Sequence, residues 1–250
     1  MDVFPLSPLL TIIGCGLGWL AIDKPSGMSV HNDPGDQMND RVDALSVVLN
    51  LIESHQDLKL ATNWEGKRFP PAAVHRLDRD TSGVLLFATT KAAATELQQA
   101  FENRVTKKVY RAILRGKIAL PEDTTENTTW TFPLSNRAEG RATPQGNPRD
   151  RVTCETRFRV LRANDFLSEI EADLVTGRQH QIRRHAVLAK HPVVGDRRYG
   201  DPKYLKTIER RFGFSRLMLH AWRLEVPYQG QTLQVEAPVP QEFARMMESP

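Results

Sequence analysis

Hydrophobic positions in this chain fall mostly into short runs and alternating stretches, and both patterns predict β-strands. Residues 84–88, VLLFA, form a continuous apolar run that predicts a buried strand. Near the start, residues 11–15 and 18–23 are apolar and glycine separates them, which predicts two strands joined by a turn. Residues 152–161 and 166–175 alternate apolar with polar side chains, as paired strands do. The same reasoning predicts strands at residues 107–116, 216–226 and 231–238.

Helical spacing appears in three segments. Residues 40–52 predict a helix with Asp40 as its N-terminal cap, and residues 89–104 predict one that begins at a threonine cap. Residues 177–191 begin at a glycine and continue with helical spacing. By contrast, residues 55–71 are polar and end in two prolines, so we interpret them as a loop.

The predicted elements together define a fold class. Strands outnumber helices and short hairpins link many of them, which favours an α+β fold with a mixed or antiparallel sheet over a repeating βαβ fold. Residues 121–150 are rich in proline, threonine, asparagine, glycine and arginine, and we predict hairpin tips and loops there.

The composition is that of an ordinary globular protein. The chain has 250 residues, of which 40% are hydrophobic and 26% charged, and this length suits one large domain or two small ones. The formal net charge is +4, and the two cysteines form no metal or redox motif, so we expect a reduced, cytoplasmic protein. The apolar N-terminus has no basic residue before it and is broken by glycines, which disfavours a signal peptide and a membrane span.

Residues 75–83, HRLDRDTSG, place two arginines, two aspartates and a histidine directly before the predicted strand at 84–88. Charges beside a buried strand are partly desolvated and must be paired, or they cost stability. One interpretation is a tight turn fastened by an ion pair between Arg76 and Asp78. The other is an active site, because perturbed ionisable groups gather at functional sites. These residues alone leave both interpretations open.

A second charged segment, residues 177–185 (GRQHQIRRH), crowds basic and amide side chains at the start of a predicted helix. A helix N-terminus with arginine and glutamine favours an anion or nucleotide site, and an exposed basic helix is the alternative. His180 and His185 are five residues apart, so they do not share one helical face as an i, i+4 pair of metal ligands does. We therefore predict no metal site here.

Basic residues also gather in groups along the chain. A salt-bridged surface explains any one group, but several groups favour a polyanionic partner, because each cation that meets a phosphate releases counterions. Walker A, GxSxG and dinucleotide-binding motifs are absent from the sequence. The groups are Lys107, Lys108, Arg111 and Arg115; Arg137, Arg141, Arg149 and Arg151; Arg178, Arg183 and Arg184; and Arg197 and Arg198.

Taken in order, several of these segments resemble the RluA-type pseudouridine synthases. HRLDRDTSGVLLFA resembles the family signature, and LAIDKPSGMSVH resembles its opening strand and turn. TKAAATELQQAF with KKVYRAIL, then GRQHQIRRHAVLAKHPVVGDRRYG, and finally LMLHAWRL with APVPQEF are similar to its later blocks. The resemblance sets the predicted domain limits at 1–18 for an N-terminal extension with an edge strand and 19–245 for the catalytic domain.

The resemblance implies roles for particular residues. Asp78 is implied to be the nucleophile that attacks the target uridine, and Tyr110 to lie against the base and take the C5 proton. Arg183 is implied to pair with Asp78, and Arg76 to help eject the target base from its stack. The family often has an aliphatic residue where Arg184 stands, so we expect this arginine to add an RNA contact. The other implied substrate-binding residues are His75, Arg178, His180 and Gln181.

The resemblance also implies the fold and the reaction. The expected fold is a mixed, largely antiparallel sheet in two halves flanked by helices, with a central active-site cleft. The expected reaction isomerises a uridine in structured RNA, rRNA or tRNA, to pseudouridine. Because this isomerisation is redox-neutral and uses a carboxylate as the covalent catalyst, we expect no cofactor and no metal. The target base must flip out of its stack, at a cost of roughly a few kcal/mol.

Many members of the family carry an S4-like RNA-binding module at the N-terminus. Some eighteen residues precede the first matching strand, which leaves no room for such a module, so we expect the catalytic domain and its loops alone to recognise RNA. We further expect a monomer that does not associate with membranes. The alternatives are a non-catalytic RNA-binding protein that keeps the fold and, less favoured because metal and phosphate-loop residues are missing, a Mg²⁺-dependent phosphotransferase.

Overall fold

The computed structural model describes residues 10–31, 42–119, 128–213 and 216–248. The chain folds into two compact units, and each unit is assembled from two separate stretches of sequence. Within the described ranges, no helix is both long and apolar enough to cross a membrane. Unit 1 comprises residues 1–107 and 221–238, and unit 2 comprises residues 108–220 and 239–250.

The described residues form strands and helices in nearly every place where the hydrophobic pattern predicts them. The strands are β1 (Thr11–Gly16), β2 (Trp19–Lys24), β3 (Ala72–Ala73), β4 (Ser82–Ala88), β5 (Lys107–Arg115), β6 (Thr128–Trp130), β7 (Thr156–Ala163), β8 (Leu167–Leu174), β9 (Leu219–Tyr228) and β10 (Gln231–Glu236). The helices are α1 (Ala44–Ser54), α2 (Gln56–Thr62), α3 (Lys91–Glu102), α4 (Gln181–Leu188), α5 (Pro202–Phe212) and α6 (Gln241–Glu248).

Unit 1 is organised around β4. Its strands follow the order β1-β2-β4-β9, with β3 also paired to β4 and β10 paired to β9. All seven residues of β4 are buried, as a continuous apolar run with neighbours on both edges should be. Helix α3 begins at the Thr90 cap, whose side chain accepts a hydrogen bond from the Ala93 amide, and it packs Leu97 into the core.

Unit 2 contains an antiparallel sheet in the order β5-β8-β7-β6. Its core combines residues of these strands, such as Ile113 and Ile170, with Ile182 of α4, Ile208 of α5 and Phe243 of α6. The α+β class, with a largely antiparallel sheet flanked by helices, is therefore confirmed. Helices α5 and α6 are additions that the hydrophobic pattern did not predict.

Two predictions about residues 40–71 differ from the structure. The first helix begins at Ala44, and its cap is Asp43, whose carboxylate accepts a hydrogen bond from the Ser46 amide at 2.7 Å. The predicted cap, Asp40, lies outside the described residues. The predicted loop at 55–71 is wrong in its first part, because α2 forms there and buries Leu58.

The predicted loops at 121–150 correspond mainly to irregular backbone. Residues 120–127 lie outside the described ranges. Residues 128–130 form the short strand β6, and a single turn of 3₁₀ helix follows at Pro148–Asp150.

Candidate active site

The charged segment 75–83 is held by the turn that follows β2. Lys24, the last residue of β2, is fully buried, and its ammonium donates to three backbone carbonyls. Two of them, those of Pro25 and Met28, belong to the turn itself, and the third belongs to Arg79, at 2.9 Å. A buried ammonium is tolerated only when its donors are satisfied, so Lys24 fixes the turn and the charged segment together.

Further hydrogen bonds join the same two segments. The amide of Gly27 donates to the Arg79 carbonyl at 2.9 Å, and the Arg79 guanidinium donates back to the Gly27 carbonyl at 3.1 Å. The Ser26 hydroxyl donates to the Asp80 carbonyl at 2.6 Å. The backbone immediately after Asp78 is therefore fixed from the side, which limits how far its carboxylate can move.

His75 anchors the beginning of the segment. Its Nε2 accepts a hydrogen bond from the Leu86 amide at 3.1 Å, and its ring stacks on Phe101 with the centroids 5.0 Å apart. An accepting Nε2 carries no proton, so the ring is neutral in this arrangement. These contacts hold the segment against β4 and α3, and a contact of His75 with substrate stays a prediction.

Asp78 and Arg76 differ in exposure. Asp78 is half-buried, and its carbonyl closes a turn by accepting from the Thr81 amide at 3.1 Å. Arg76 is exposed, and its guanidinium makes no hydrogen bond or ion pair with the described part of the chain. The proposed structural ion pair between Arg76 and Asp78 is therefore not formed, and Arg76 is available to a ligand.

Gly83 ends the segment in a conformation that only glycine adopts readily. Its φ is +112°, and a Cβ atom there would lie 2.2 Å from the carbonyl oxygen of Ala221 in β9. The missing side chain lets the backbone of the charged segment approach β9 closely.

In unit 2, Arg183 is held by a partner that the sequence did not reveal. Its Nε and Nη2 both donate to the carboxylate of Asp196 at 2.8 Å, and both side chains are almost fully buried. The same carboxylate accepts from the amides of Arg198 and Tyr199. This side-on pair fixes the plane of the guanidinium and leaves Nη1 as the nitrogen that Asp196 does not engage.

Tyr199 and His180 extend this arrangement. The Arg183 guanidinium carbon lies 5.3 Å from the centre of the Tyr199 ring, and the Tyr199 hydroxyl lies 3.0 Å from Nδ1 of His180. His180 has a φ of +55°, a left-handed conformation that non-glycine residues adopt at a cost. His180 stands directly before α4, and the centroid of its ring lies 5.8 Å from that of Tyr199.

Tyr110 lies on β5 opposite Ala172 of β8, and it packs partly buried against the core of unit 2. Arg178 is half-buried and donates to the side-chain oxygen of Asn136 at 2.9 Å. The predicted roles of both residues concern substrate, and they stay predictions.

Two predicted substrate-binding residues lie inside unit 2 instead of at its surface. Gln181 has 2% of its surface exposed, and its amide is fully used. It accepts from the Thr176 hydroxyl and the Arg178 amide, and it donates to Glu155 and Thr156.

Arg184 is the clearer correction. It has no exposed surface, and all five of its N–H groups have acceptors inside the protein, so the structure contradicts the predicted RNA contact. The guanidinium binds the loop at 135–145 to the turn before α4 instead. Its acceptors are the carbonyls of Ser135, Pro144, Gln145 and Gln179 and the Ser135 hydroxyl.

His185 is also part of the framework. Its Nδ1 lies 3.0 Å from the Thr156 hydroxyl and its Nε2 lies 3.0 Å from the Phe132 carbonyl, so Nε2 carries a proton that it donates to this carbonyl. Burial lowers the pKa of His185 from 6.5 to about 4; the positive charge of Arg184 adds to this effect, and the Phe132 carbonyl opposes it. Neither His180 nor His185 belongs to a cluster of three or more metal-binding side chains among the described residues.

The basic groups of the sequence separate into two kinds. Arg111 forms an ion pair with the buried Glu169, and Arg115 lies 3.8 Å from Asp201. Both arginines are therefore paired with carboxylates of unit 2. By contrast, the side chains of three exposed arginines make no hydrogen bond or ion pair with the described residues, and these are Arg137, Arg141 and Arg149.

Comparison with known proteins finds matches over most of the chain. Residues 18–187 match the family model described as RNA pseudouridylate synthase, a range that contains Asp78, Tyr110 and Arg183. The chain is 33% identical over 231 residues to "Ribosomal large subunit pseudouridine synthase C" of Pasteurella multocida, covering 91% of this chain and 64% of that protein. It is 32% identical to "tRNA pseudouridine synthase C" of Pectobacterium carotovorum, covering 87% of this chain and 56% of that protein. The chain thus spans between about half and two thirds of the length of these relatives.

Solved structures share the fold. "Human RNA Pseudouridylate Synthase Domain Containing 1" superposes with a TM-score of 0.64 at 25% identity, over 95% of this chain and 86% of that one. "Human RNA Pseudouridylate Synthase Domain Containing 4" gives a TM-score of 0.67 at 23% identity, over 93% of this chain and 90% of that one.

Proposed function

Because the chain belongs to the RNA pseudouridylate synthase family, we propose that it isomerises a specific uridine of structured RNA to pseudouridine, with Asp78 as the nucleophile. The observation that carries this proposal is the way the chain holds Asp78. The residue is half-buried in a segment whose next two residues are bonded to the Lys24–Gly27 turn. A nucleophilic carboxylate needs such a fixed position, because misplacement of reacting atoms by about 1 Å costs roughly a hundredfold in rate.

The reaction requires only groups that this chain supplies. The carboxylate is the covalent catalyst: it bonds to the uridine, and the bond between N1 and C1′ breaks. After the base turns over, C5 becomes bonded to C1′ and the bond to the carboxylate breaks. C5 loses one proton and N1 gains one, so the product is an isomer of the substrate. We propose that Tyr110 lies against the base and takes the C5 proton, and that Nη1 of Arg183 pairs with Asp78. The bidentate bond from Arg183 to Asp196 supports the second assignment, because it fixes the guanidinium before substrate arrives.

Arg76 suits the step that exposes the base. Its exposed guanidinium has no partner among the described residues and lies two positions before Asp78. We propose that it enters the space that the flipped uridine leaves, where a planar guanidinium stacks on neighbouring bases. Extrusion costs roughly a few kcal/mol, which phosphate contacts of the exposed arginines offset.

The RNA substrate is proposed only as rRNA or tRNA. One relative at 33% identity is named for the large ribosomal subunit, and another at 32% is named for tRNA. Identities this similar favour neither class.

The compartment and the assembly are also proposals. Cys15 and Cys154 are both free thiols, which supports the cytoplasm as the working compartment. We propose a monomer, and light scattering during size-exclusion chromatography tests it.

The test compares two neighbouring carboxylates. Asp78→Asn is expected to abolish pseudouridine formation, while RNA affinity stays within about tenfold, because phosphate contacts dominate binding. Asp80→Asn is the matched control, since the Asp80 carboxylate is half-buried and makes no hydrogen bond or ion pair with the described residues. It is expected to keep its activity. The measurement is carbodiimide-stop mapping of rRNA and tRNA, transcribed and then incubated with each purified protein.

Full turnover by Asp78→Asn would contradict the assignment of the nucleophile. Absence of product with the wild-type protein on both RNA classes, together with intact RNA binding, would favour a non-catalytic RNA-binding protein of the same fold.

A further inference from the structure

We infer that the outer face of α5 binds the phosphate backbone of RNA. This inference rests on the proposed function, because it takes the same RNA as the occupant. The helix PKYLKTIERRF carries two lysines, two arginines and one glutamate. Its inner side packs Ile208 into the core of unit 2, with Tyr204 and Phe212 partly buried beside it. Three of its exposed cations, Lys203, Lys206 and Arg210, are here called the α5 cation row.

The α5 cation row forms one continuous stripe. Lys203 and Lys206 are three residues apart, and Lys206 and Arg210 are four apart, so the side chains are neighbours on one helical face. The row extends about 10 Å along the axis at 1.5 Å per residue. A stripe of three cations over this length suits contact with the phosphates of one nucleic-acid strand.

The row has no partner inside the protein. No side chain of the row forms a hydrogen bond or an ion pair with any residue that the structure describes. On the strands of unit 2 the opposite holds, because Arg157, Arg159 and Arg162 each form an ion pair with a glutamate. The difference shows that this chain neutralises arginines on its sheet but leaves the cations of α5 to solvent or to a ligand.

Helix physics makes the row costly for the free protein. Lys203 lies in the first turn, where the helix dipole disfavours a positive charge, and the first turn contains no acidic residue. Like charges at i, i+3 and i, i+4 also repel. Arg210 is different, because it lies in the last turn, where the dipole favours a positive charge. Stability therefore does not explain Lys203 or the close spacing of the three cations, whereas an anionic ligand relieves both penalties.

The helix is rigidly connected to Arg183. Asp196, the partner of Arg183, accepts the Gly200 amide at its carbonyl at 2.8 Å, and Asp201 then caps α5 by accepting the Lys203 amide. The Arg115 guanidinium lies 4.3 Å from the centre of the Tyr204 ring and braces the first turn. Phosphates bound on α5 are thus held in a fixed relation to Arg183 within unit 2.

The experiment removes the row and compares it with an equal loss of charge elsewhere. The test protein is Lys203→Gln/Lys206→Gln/Arg210→Gln, because glutamine keeps helix propensity. The control is Lys67→Gln/Arg68→Gln/Lys91→Gln, which removes three exposed cations from unit 1. Binding of a fluorescein-labelled RNA hairpin with a uridine-containing loop is measured by anisotropy over a salt series.

The α5 triple variant is expected to weaken binding by at least about tenfold near 0.1 M salt and to reduce the slope of log Kd against log salt by about two to three. The control triple is expected to change affinity less than threefold and to keep the slope. An unchanged slope in the α5 variant, or an equal change in both proteins, would overturn the inference. The assay measures binding alone. A wild-type protein without synthase activity would therefore refute the proposed function, while the binding comparison would still test the role of α5.

Discussion

Two charged segments of similar composition differ in how deeply the protein buries them. The segment 75–83 lies at the surface of unit 1, with Arg76 exposed and Asp78 half-buried, and its backbone accepts a hydrogen bond from the buried ammonium of Lys24. The segment 177–185 places its last five residues inside unit 2, where Arg184 and His185 have no exposed surface. Charge density in a sequence therefore does not tell whether a segment meets a ligand or supports the residues that do. The two segments differ in their hydrogen-bond acceptors, because the buried charged side chains are paired with acceptors inside the protein.

The largest effect is expected for Arg184→Leu, which gives this position the aliphatic type of side chain often found in the family. The substitution leaves the carbonyls of Ser135, Pro144 and Gln179 without this donor, and we expect a loss of about 4 kcal/mol in the free energy of unfolding. Urea denaturation followed by circular dichroism measures it. Arg178→Leu is the control, expected to cost below about 1 kcal/mol, since Arg178 is half-buried with one bond to Asn136. Equal costs would remove the distinction between the fully buried Arg184 and the half-buried Arg178.

His185 is expected to make stability depend on pH. Its pKa is about 4 in the folded protein against 6.5 ordinarily, so the unfolded chain binds more protons between these values. Its contribution is complete above pH 6.5 and is lost progressively as the pH falls to about 4, by roughly 3 kcal/mol. Urea unfolding at a series of pH values should show this fall in the wild type and a smaller one in His185→Gln. Identical pH profiles for the two proteins would mean that His185 is not the group responsible.

Substitutions at two glycines test how closely segment 75–83 must approach β9. Gly83 and Gly27 both have positive φ, at +112° and +88°, but only a Cβ at Gly83 meets other atoms, whereas Gly27 has open space. Gly83→Ala is therefore expected to cost about 2 kcal/mol more than Gly27→Ala, as the steric part of the penalty. Thermal and urea unfolding of both variants give the difference. If both substitutions lower the free energy of unfolding equally, the close approach of Gly83 to Ala221 adds nothing to the cost.

The smallest effect on stability is expected for Arg76→Ala. The side chain is exposed without a partner among the described residues, so the free energy of unfolding should change by less than about 0.5 kcal/mol. Pseudouridine formation should nevertheless fall, because the proposed stacking in the flipped-out RNA is lost. A single-turnover assay beside urea denaturation separates the two effects. A change in stability without a change in turnover would mean that Arg76 supports the fold, as Arg184 does, and does not act on RNA.

Local pattern was enough to locate most elements of the fold. The strand at 84–88 and the helix after Thr90 carry strong signals, because an unbroken apolar run is typical of a buried strand and a threonine cap is typical of a helix start. The prediction of a loop at 55–71 was wrong because α2 is short and depends on the burial of Leu58. A seven-residue helix is too short for its hydrophobic pattern to indicate such a tertiary contact.

The candidate site was less accessible to sequence reasoning. Arg183 was identified, but Asp196, its bidentate partner, is thirteen residues away, and no periodicity links the two. Lys24 ends a strand, where lysine is ordinarily exposed, and only the structure shows its three carbonyl acceptors. Arg184 adjoins Arg183 and has the same chemistry, so only the direction of its side chain separates a buried clamp from an RNA contact.

The order of segments in unit 1 has a consequence for biosynthesis. Strand β4 is buried along its whole length beside β9, yet β4 ends at Ala88 and β9 begins at Leu219. At about five to twenty residues per second, a ribosome needs roughly 7 to 25 seconds to make the intervening chain. Throughout that time only the two-residue strand β3 pairs with the second edge of β4, and an apolar strand with a largely open edge is a template for aggregation. We expect translation to leave this protein dependent on chaperones that shield β4 until the C-terminal hairpin emerges.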